Sequence, residues 1–164
     1  MSTLTGVTAD PAPPTTRQRG ERGERGGAAV LSAHGGSGAT TVAAGLQLPE
    51  LAADQPCDQL RLVVVTARTT TAGFDLLLAT VAGVPASTRV LVAATADAPL
   101  RAPAGVRARA QTLQRSGRDV AMIVLPYEPA WRHCPAALQR PSKSYRRQLS
   151  KVAAVINHHE GIRA

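Results

Sequence analysis

The stretch Ala28–Leu46, AAVLSAHGGSGATTVAAGL, constrains the chain most. It opens on four apolar residues, Ala28 to Leu31, as a buried strand does. It turns through Gly35, Gly36, Ser37 and Gly38, then resumes as Ala39-Thr40-Thr41-Val42-Ala43-Ala44, which suits the first turns of a helix. Strand, glycine turn and helix start together cradle phosphate. The glycines let successive backbone N–H groups converge, and the helix N-terminus adds the positive end of its dipole.

The rest of the chain repeats this alternation. Arg61–Ala67 (RLVVVTA) is a continuous run rich in β-branched residues, as in a parallel strand covered on both faces. Phe74, Leu77, Leu78 and Val81 recur at helical spacing within Thr71–Ala82, which Gly83 closes before Pro85. Arg89–Thr95 is a third strand, Val106–Ser116 a basic helix and Asp119–Leu125 a fourth strand. Glu50–Gln59 reads as a polar connector and Tyr127–Pro141 as irregular, with Ser142 capping a last helix, Lys143–Asn157. The expected fold is α/β, with a mainly parallel sheet of about four strands and flanking helices over 28–164. Residues 1–27, rich in Thr, Pro, Gly and Arg, cannot bury a core and read as a disordered tail. Ligands in such sheets bind beyond the strand C-termini. That brings the glycine loop, Thr66–Thr70, Thr95–Asp97 and the segment from Pro126 to one edge.

The loop His34-Gly35-Gly36-Ser37-Gly38-Ala39-Thr40-Thr41 resembles the deviant Walker A loop of the ParA/MinD-type P-loop proteins, K-G-G-x-G-K-[ST]-T. Gly35, Gly36, Gly38, Thr40 and Thr41 match. His34 and Ala39 stand where the family has its two lysines. More weakly, Val63–Ala72 and Leu91–Trp131 are similar to small actinobacterial members of that superfamily. The resemblance implies a P-loop NTPase-like fold binding ATP or ADP with Mg²⁺. Residues 35–41 would surround the phosphates and the Thr40 hydroxyl would meet the metal. It also implies a role in plasmid or chromosome partitioning or DNA transfer, and a homodimer formed around ATP through the first lysine, here His34.

The missing lysines weaken that expectation on the chemical side. Losing one charge-assisted phosphate contact costs roughly 1.5–3 kcal/mol, about one to two decades of affinity. Arg68, just after the second strand, is placed to face the loop and stand in for the lysine. The family's switch and Walker B carboxylates have no clear counterpart. Asp97 follows the third strand, where it serves either as a substitute or as an ordinary loop cap, and Glu128 lies after the fourth. Weak nucleotide binding without efficient hydrolysis is therefore expected. A non-catalytic protein- or nucleic-acid-binding module that kept the fold is the alternative. Gly36–Thr41 also partly fits a dinucleotide fingerprint, G-x-G-x-x-T, with Arg68 where a 2′-phosphate partner lies, but it fails at the third glycine. Ala39 likewise breaks the G-x-S-x-G nucleophile elbow.

Charge points elsewhere. Of the formal +8, residues 130–164 hold seven basic side chains against one acid, while 28–129 hold eight against seven. In the last helix Lys143, Arg147 and Lys151 recur at i, i+4, i+8, with Arg146 beside them, opposite an apolar stripe of Tyr145, Leu149, Val152 and Ile156. Such a face suits non-specific DNA contact, a membrane surface or plain solvent exposure; membrane is the least expected of these. Cys57 and Cys134 have no CxxC partner, which argues against a zinc site or disulfide framework. His133-Cys134 and His158-His159 form no recognisable ligand set. Trp131 reads as core packing at the sheet edge or as a partner contact. With no apolar leader in residues 1–27, a cytoplasmic protein is expected.

Overall fold

The computed structural model describes residues 27–132 and 140–161. The N-terminal tail, apart from Gly27, and the His133-Cys134 pair lie outside the described residues. The elements run β1 (Ala28–Ser32), α1 (Ala39–Leu46), β2 (Glu50–Leu51), β3 (Leu62–Arg68), α2 (Thr71–Gly83), β4 (Arg89–Thr95), α3 (Ala104–Gln114), β5 (Val120–Leu125), a 3-10 turn at Pro129–Arg132, and α4 (Lys143–Glu160).

All strand pairs are parallel, and the sheet order is β2-β1-β3-β4-β5. Five strands stand where about four were expected. The extra one, β2, lies inside the stretch that reads as a polar connector. Two residues show no periodicity, so nothing in their sequence announces a strand. The pairing arises because the chain leaving α1 runs alongside β1: the Val30 N–H donates to the Pro49 carbonyl at 2.9 Å, and Val30 and Leu31 pair with Glu50 and Leu51. The 3-10 turn corrects a second reading, that 127–141 is irregular throughout. α1 ends at Leu46, with Gln47 at a left-handed φ of 57° as its C-cap.

Strand alternation sorts the core into two layers. Val63, Val65 and Ala67 of β3, with Val90, Val92 and Ala94 of β4, pack under Phe74, Leu77 and Val81 of α2 and Val106 and Leu113 of α3. Leu62, Val64, Leu91 and Ala93 face the other way, against Val42 of α1 and Tyr145, Val152 and Ile156 of α4. Both faces of β3 and β4 are covered, which is why these strands are apolar without interruption. Each fully buried Val or Leu adds roughly 1.5–3 kcal/mol of transfer free energy, so this aromatic-poor core is held by many small contributions. The helices on the second layer approach closely: a Cβ on Gly45 of α1 would lie 2.5 Å from Leu149 Cδ2 of α4. Among the described residues no helix is long and apolar enough to cross a membrane.

Parallel strands put all their C-terminal ends at one edge. The order reverses between β1 and β3, since β2 lies on one side of β1 and β3, β4 and β5 on the other. Ligands of open α/β sheets bind at such a reversal, and the glycine loop leaves β1 at this point.

Candidate phosphate-binding site at the glycine loop

The loop between β1 and α1 is bent by two left-handed glycines, Gly36 at φ 77° and Gly38 at φ 91°. Gly38 is also the N-cap of α1. A side chain at either position strains the backbone, which is the local reason for glycine there. The N–H groups of Gly35, Gly36, Gly38, Ala39, Thr40 and Thr41 donate to no acceptor among the described residues, whereas Ser37 N–H donates back to the His34 carbonyl at 3.2 Å. The first donors of a helix have no intrahelical partner by construction. Here they lie at the switch point with the exposed loop glycines 35 and 36.

Ser37 anchors the loop from below. Its side chain, 1% exposed, meets Thr66 Oγ1 of β3 at 2.7 Å and Ser32 Oγ of β1 at 2.8 Å, and Ser32 Oγ donates to the His34 carbonyl at 2.7 Å. Of the sequence-predicted set, Ser37 is thus a brace whose hydroxyl points into the sheet. Ala39 is buried in the α1–sheet layer. Thr40 is exposed and Thr41 half-buried in the first turn of α1, which leaves the Thr40 hydroxyl accessible as a ligand.

Arg68, the last residue of β3, is brought to the loop, as its position after the strand implies. Its Nε donates to the Gly36 carbonyl at 3.1 Å, and Nη1 donates to Asp97 Oδ1 at 2.7 Å. Asp97 is held in turn by its own N–H, which donates to Thr69 Oγ1 at 3.0 Å. Asp97 is therefore a partner of the arginine, and the ion pair spans the C-terminal ends of β3 and β4 above the loop. Both side chains are a little over one-third exposed, 37% and 38%, so the pair is solvent-screened and exchangeable. Glu128 sits elsewhere, accepting from the Ser142 hydroxyl and N–H at the start of α4.

His34, at the start of the loop, folds back rather than outward. Its Nε2 accepts the backbone N–H of Arg68 at 3.1 Å, and its Nδ1 lies 2.9 Å from the Gly35 carbonyl. Among the described residues no three His, Cys, Asp or Glu side chains converge as a metal site. The residues present suit a phosphate group: free N–H donors and one guanidinium. A Mg²⁺ accompanying a nucleotide would find the Thr40 hydroxyl and the nucleotide's own oxygens.

Sequence reasoning missed the Ser32–Ser37–Thr66 brace, the His34 link and the Arg68–Asp97 pair. All but Ser32–Ser37 join residues about thirty apart, and no local pattern marks them.

The basic residues of α4 form a separate group. Lys143, Arg146, Arg147 and Lys151 are all exposed, and none makes an ion pair among the described residues. Tyr145, Val152 and Ile156 are buried on the opposite side, and Trp131 packs edge-on against Tyr145 with ring centroids 4.8 Å apart.

No protein family, curated protein or solved structure matches this chain in comparisons by sequence and by structure.

Proposed function

We propose that the glycine loop binds the phosphates of a nucleotide, ATP or ADP, weakly and without efficient hydrolysis, and that the chain is a degenerate ParA/MinD-like accessory protein in DNA partitioning or transfer. One observation carries the binding part. A loop whose N–H donors are unpartnered among the described residues sits at the sheet's switch point with Arg68 directly over it. The donors favour anions and Arg68 supplies the charge that the absent lysines would have given. The partitioning role rests on the resemblance of residues 34–41 alone. Asp97 held by Arg68 argues against a carboxylate free to manage an attacking water.

Calorimetry with ATP and ADP, each with and without Mg²⁺, tests the reading. Binding is expected at high micromolar to millimolar nucleotide, lost in Gly38→Val and weakened about tenfold or more in Arg68→Gln. Circular dichroism of each variant separates lost binding from lost folding. No heat at millimolar nucleotide, with the wild-type chain folded, would leave the loop as a tight strand-to-helix turn.

A second reading has its own observation. The exposed stripe Lys143, Arg146, Arg147 and Lys151, without ion pairs among the described residues, suits phosphate backbones. On that reading the chain is a nucleic-acid-binding module whose loop is structural.

A further inference from the structure

The opposite edge of the sheet holds another cationic group. Arg61 precedes β3, Arg89 opens β4, and Arg118 and Asp119 precede β5, so the parallel register brings all four to the N-terminal ends of the strands. His159, in the last turn of α4, reaches the same place. These five, with Ser87 and Thr88, line a cavity of about 360 Å³. β3 and β4 are seven residues long, so at ~3.3 Å per residue this cavity and the glycine loop lie about 20 Å apart.

The lining is positive. Three guanidinium groups face one carboxylate, and the partners of two of them are accounted for. Arg89 pairs with Asp119 and also donates to the His159 imidazole. Arg118 donates to the Val84 and Pro85 carbonyls at 2.7 and 2.8 Å, and to the Val81 carbonyl, where α2 ends. It is thereby fixed in position by backbone carbonyls, with no carboxylate paired to it among the described residues. The exposed Arg61 guanidinium has no partner among the described residues.

We propose that this cavity is a second anion site, which takes the phosphate group of a small phosphorylated molecule or inorganic phosphate. Arg61 is its free recognition group, Arg118 a fixed positive charge, and Arg89 the residue that exchanges its present partners for the ligand. Its residues converge from three strand ends and α4, whereas the basic stripe of α4 runs along one helix, which suits an extended polyanion. His159 supplies a built-in reporter. Burial first, then the Arg89 charge and then His158, hold its imidazole below the ordinary histidine range. The groups facing it are Arg89, Arg61, Arg118 and Asp119 across the cavity and His158 on its own helix. A bound dianion offsets the cationic field and draws Arg89 away, so the ring gains a proton more easily.

The test is an NMR titration of the full chain, following the His159 ring resonances against pH. Three additions are compared at equal ionic strength: sodium chloride, inorganic phosphate and ribose 5-phosphate. The expected result is saturable perturbation of His159 by one or both phosphates, with its titration midpoint moved upward, and no saturable change with chloride. Arg61→Gln, a surface change, should weaken that response about tenfold, while Gly38→Val leaves it intact. Tighter binding of ribose 5-phosphate identifies a phosphorylated small molecule, and equal affinity identifies the free ion. The proposal is overturned if phosphate acts as chloride does, if Arg61→Gln binds as well as wild type, or if Gly38→Val removes the response. The last result would assign the ion to the glycine loop.

Discussion

His34 Nε2 accepts the backbone N–H of Arg68 at 3.1 Å, across thirty-four positions of sequence. With Nδ1 facing the Gly35 carbonyl at 2.9 Å, the two contacts are satisfied together only by a neutral ring protonated on Nδ1. The His34 side chain therefore acts as a strut between the glycine loop and the end of β3.

A lysine in place of His34 should accordingly bring no gain in nucleotide binding. Lysine offers three donors and no acceptor, so His34→Lys leaves the Arg68 N–H without its partner. A loss of about 1 kcal/mol in stability is expected, read by urea denaturation, with nucleotide affinity unchanged or lower. Tighter nucleotide binding in this variant would show that the strut is dispensable and the lysine position still works.

Asp97 competes with any phosphate for Arg68. Asp97→Asn keeps the shape, removes a negative charge beside the loop and releases the guanidinium from its ion pair. Nucleotide affinity should rise about threefold to tenfold, consistent with an exposed pair worth about 1 kcal/mol. Calorimetry checks this, and a fall in affinity would mean that Asp97 positions Arg68 rather than occupying it.

Gly73 is the tightest glycine against backbone. A Cβ there would meet the Arg68 carbonyl oxygen at 2.6 Å, Thr70 Oγ1 at 2.9 Å and His34 Nε2 at 3.0 Å. Gly73→Ala should cost about 1–3 kcal/mol and loosen the loop through His34. Gly83→Ala, at the end of the same helix, meets nothing within 4 Å and is the matched control. Equal stability of the two variants would contradict the packing described at the β3–α2 turn.

Tyr145 gives stability a pH dependence at the alkaline end. The residue is 1% exposed, and burial, followed by the Glu128 charge, pushes its phenol up to about 12. The unfolded chain has a tyrosine near pH ~10, so the folded state favours the protonated form. The stabilisation is complete below pH ~10 and is lost as pH climbs toward ~12, by up to about 2–3 kcal/mol. Tyr145→Phe should flatten that slope in denaturation curves across this window. A slope unchanged in the variant would place the alkaline sensitivity on another group.

The α4 stripe makes a salt-dependent prediction. If it contacts DNA, Arg146→Glu with Arg147→Glu should abolish duplex binding at low salt, and wild-type affinity should fall linearly in log–log with salt. Fluorescence anisotropy with a random duplex measures both. Binding that survives the double change would locate the nucleic-acid surface elsewhere.

The alternating architecture was readable from local pattern, because β3 and β4 are buried on both faces and show it as unbroken apolar runs, and because Phe74, Leu77 and Val81 keep helical spacing. The glycine turn was readable for a related reason: Gly36 and Gly38 take backbone angles that other residues resist. β2 was not readable, since its two residues are a strand only by virtue of lying beside β1. The same holds for Asp97, whose partner Arg68 is chosen by the register of β3 on β4 and not by anything near position 97. The motif places Ser37 in the loop but does not say which way its side chain points; Thr66 beneath it decides that.

The close fit of Leu149 over Gly45 has a consequence for how the protein is made. β3 joins the free side of β1, and β4 and β5 each join the outer side of the strand before, so the sheet grows at its edges as the chain leaves the ribosome and no strand has to be threaded between two already in place. The layer over Leu62, Val64 and Leu91 is different, because α4, which covers it together with α1, is synthesised only after every strand of the sheet. Until α4 emerges, a nascent chain with a finished sheet still shows part of an apolar flank to solvent. The final helix therefore acts as a closing clasp, and nascent chains stalled before it are the ones expected to recruit chaperones.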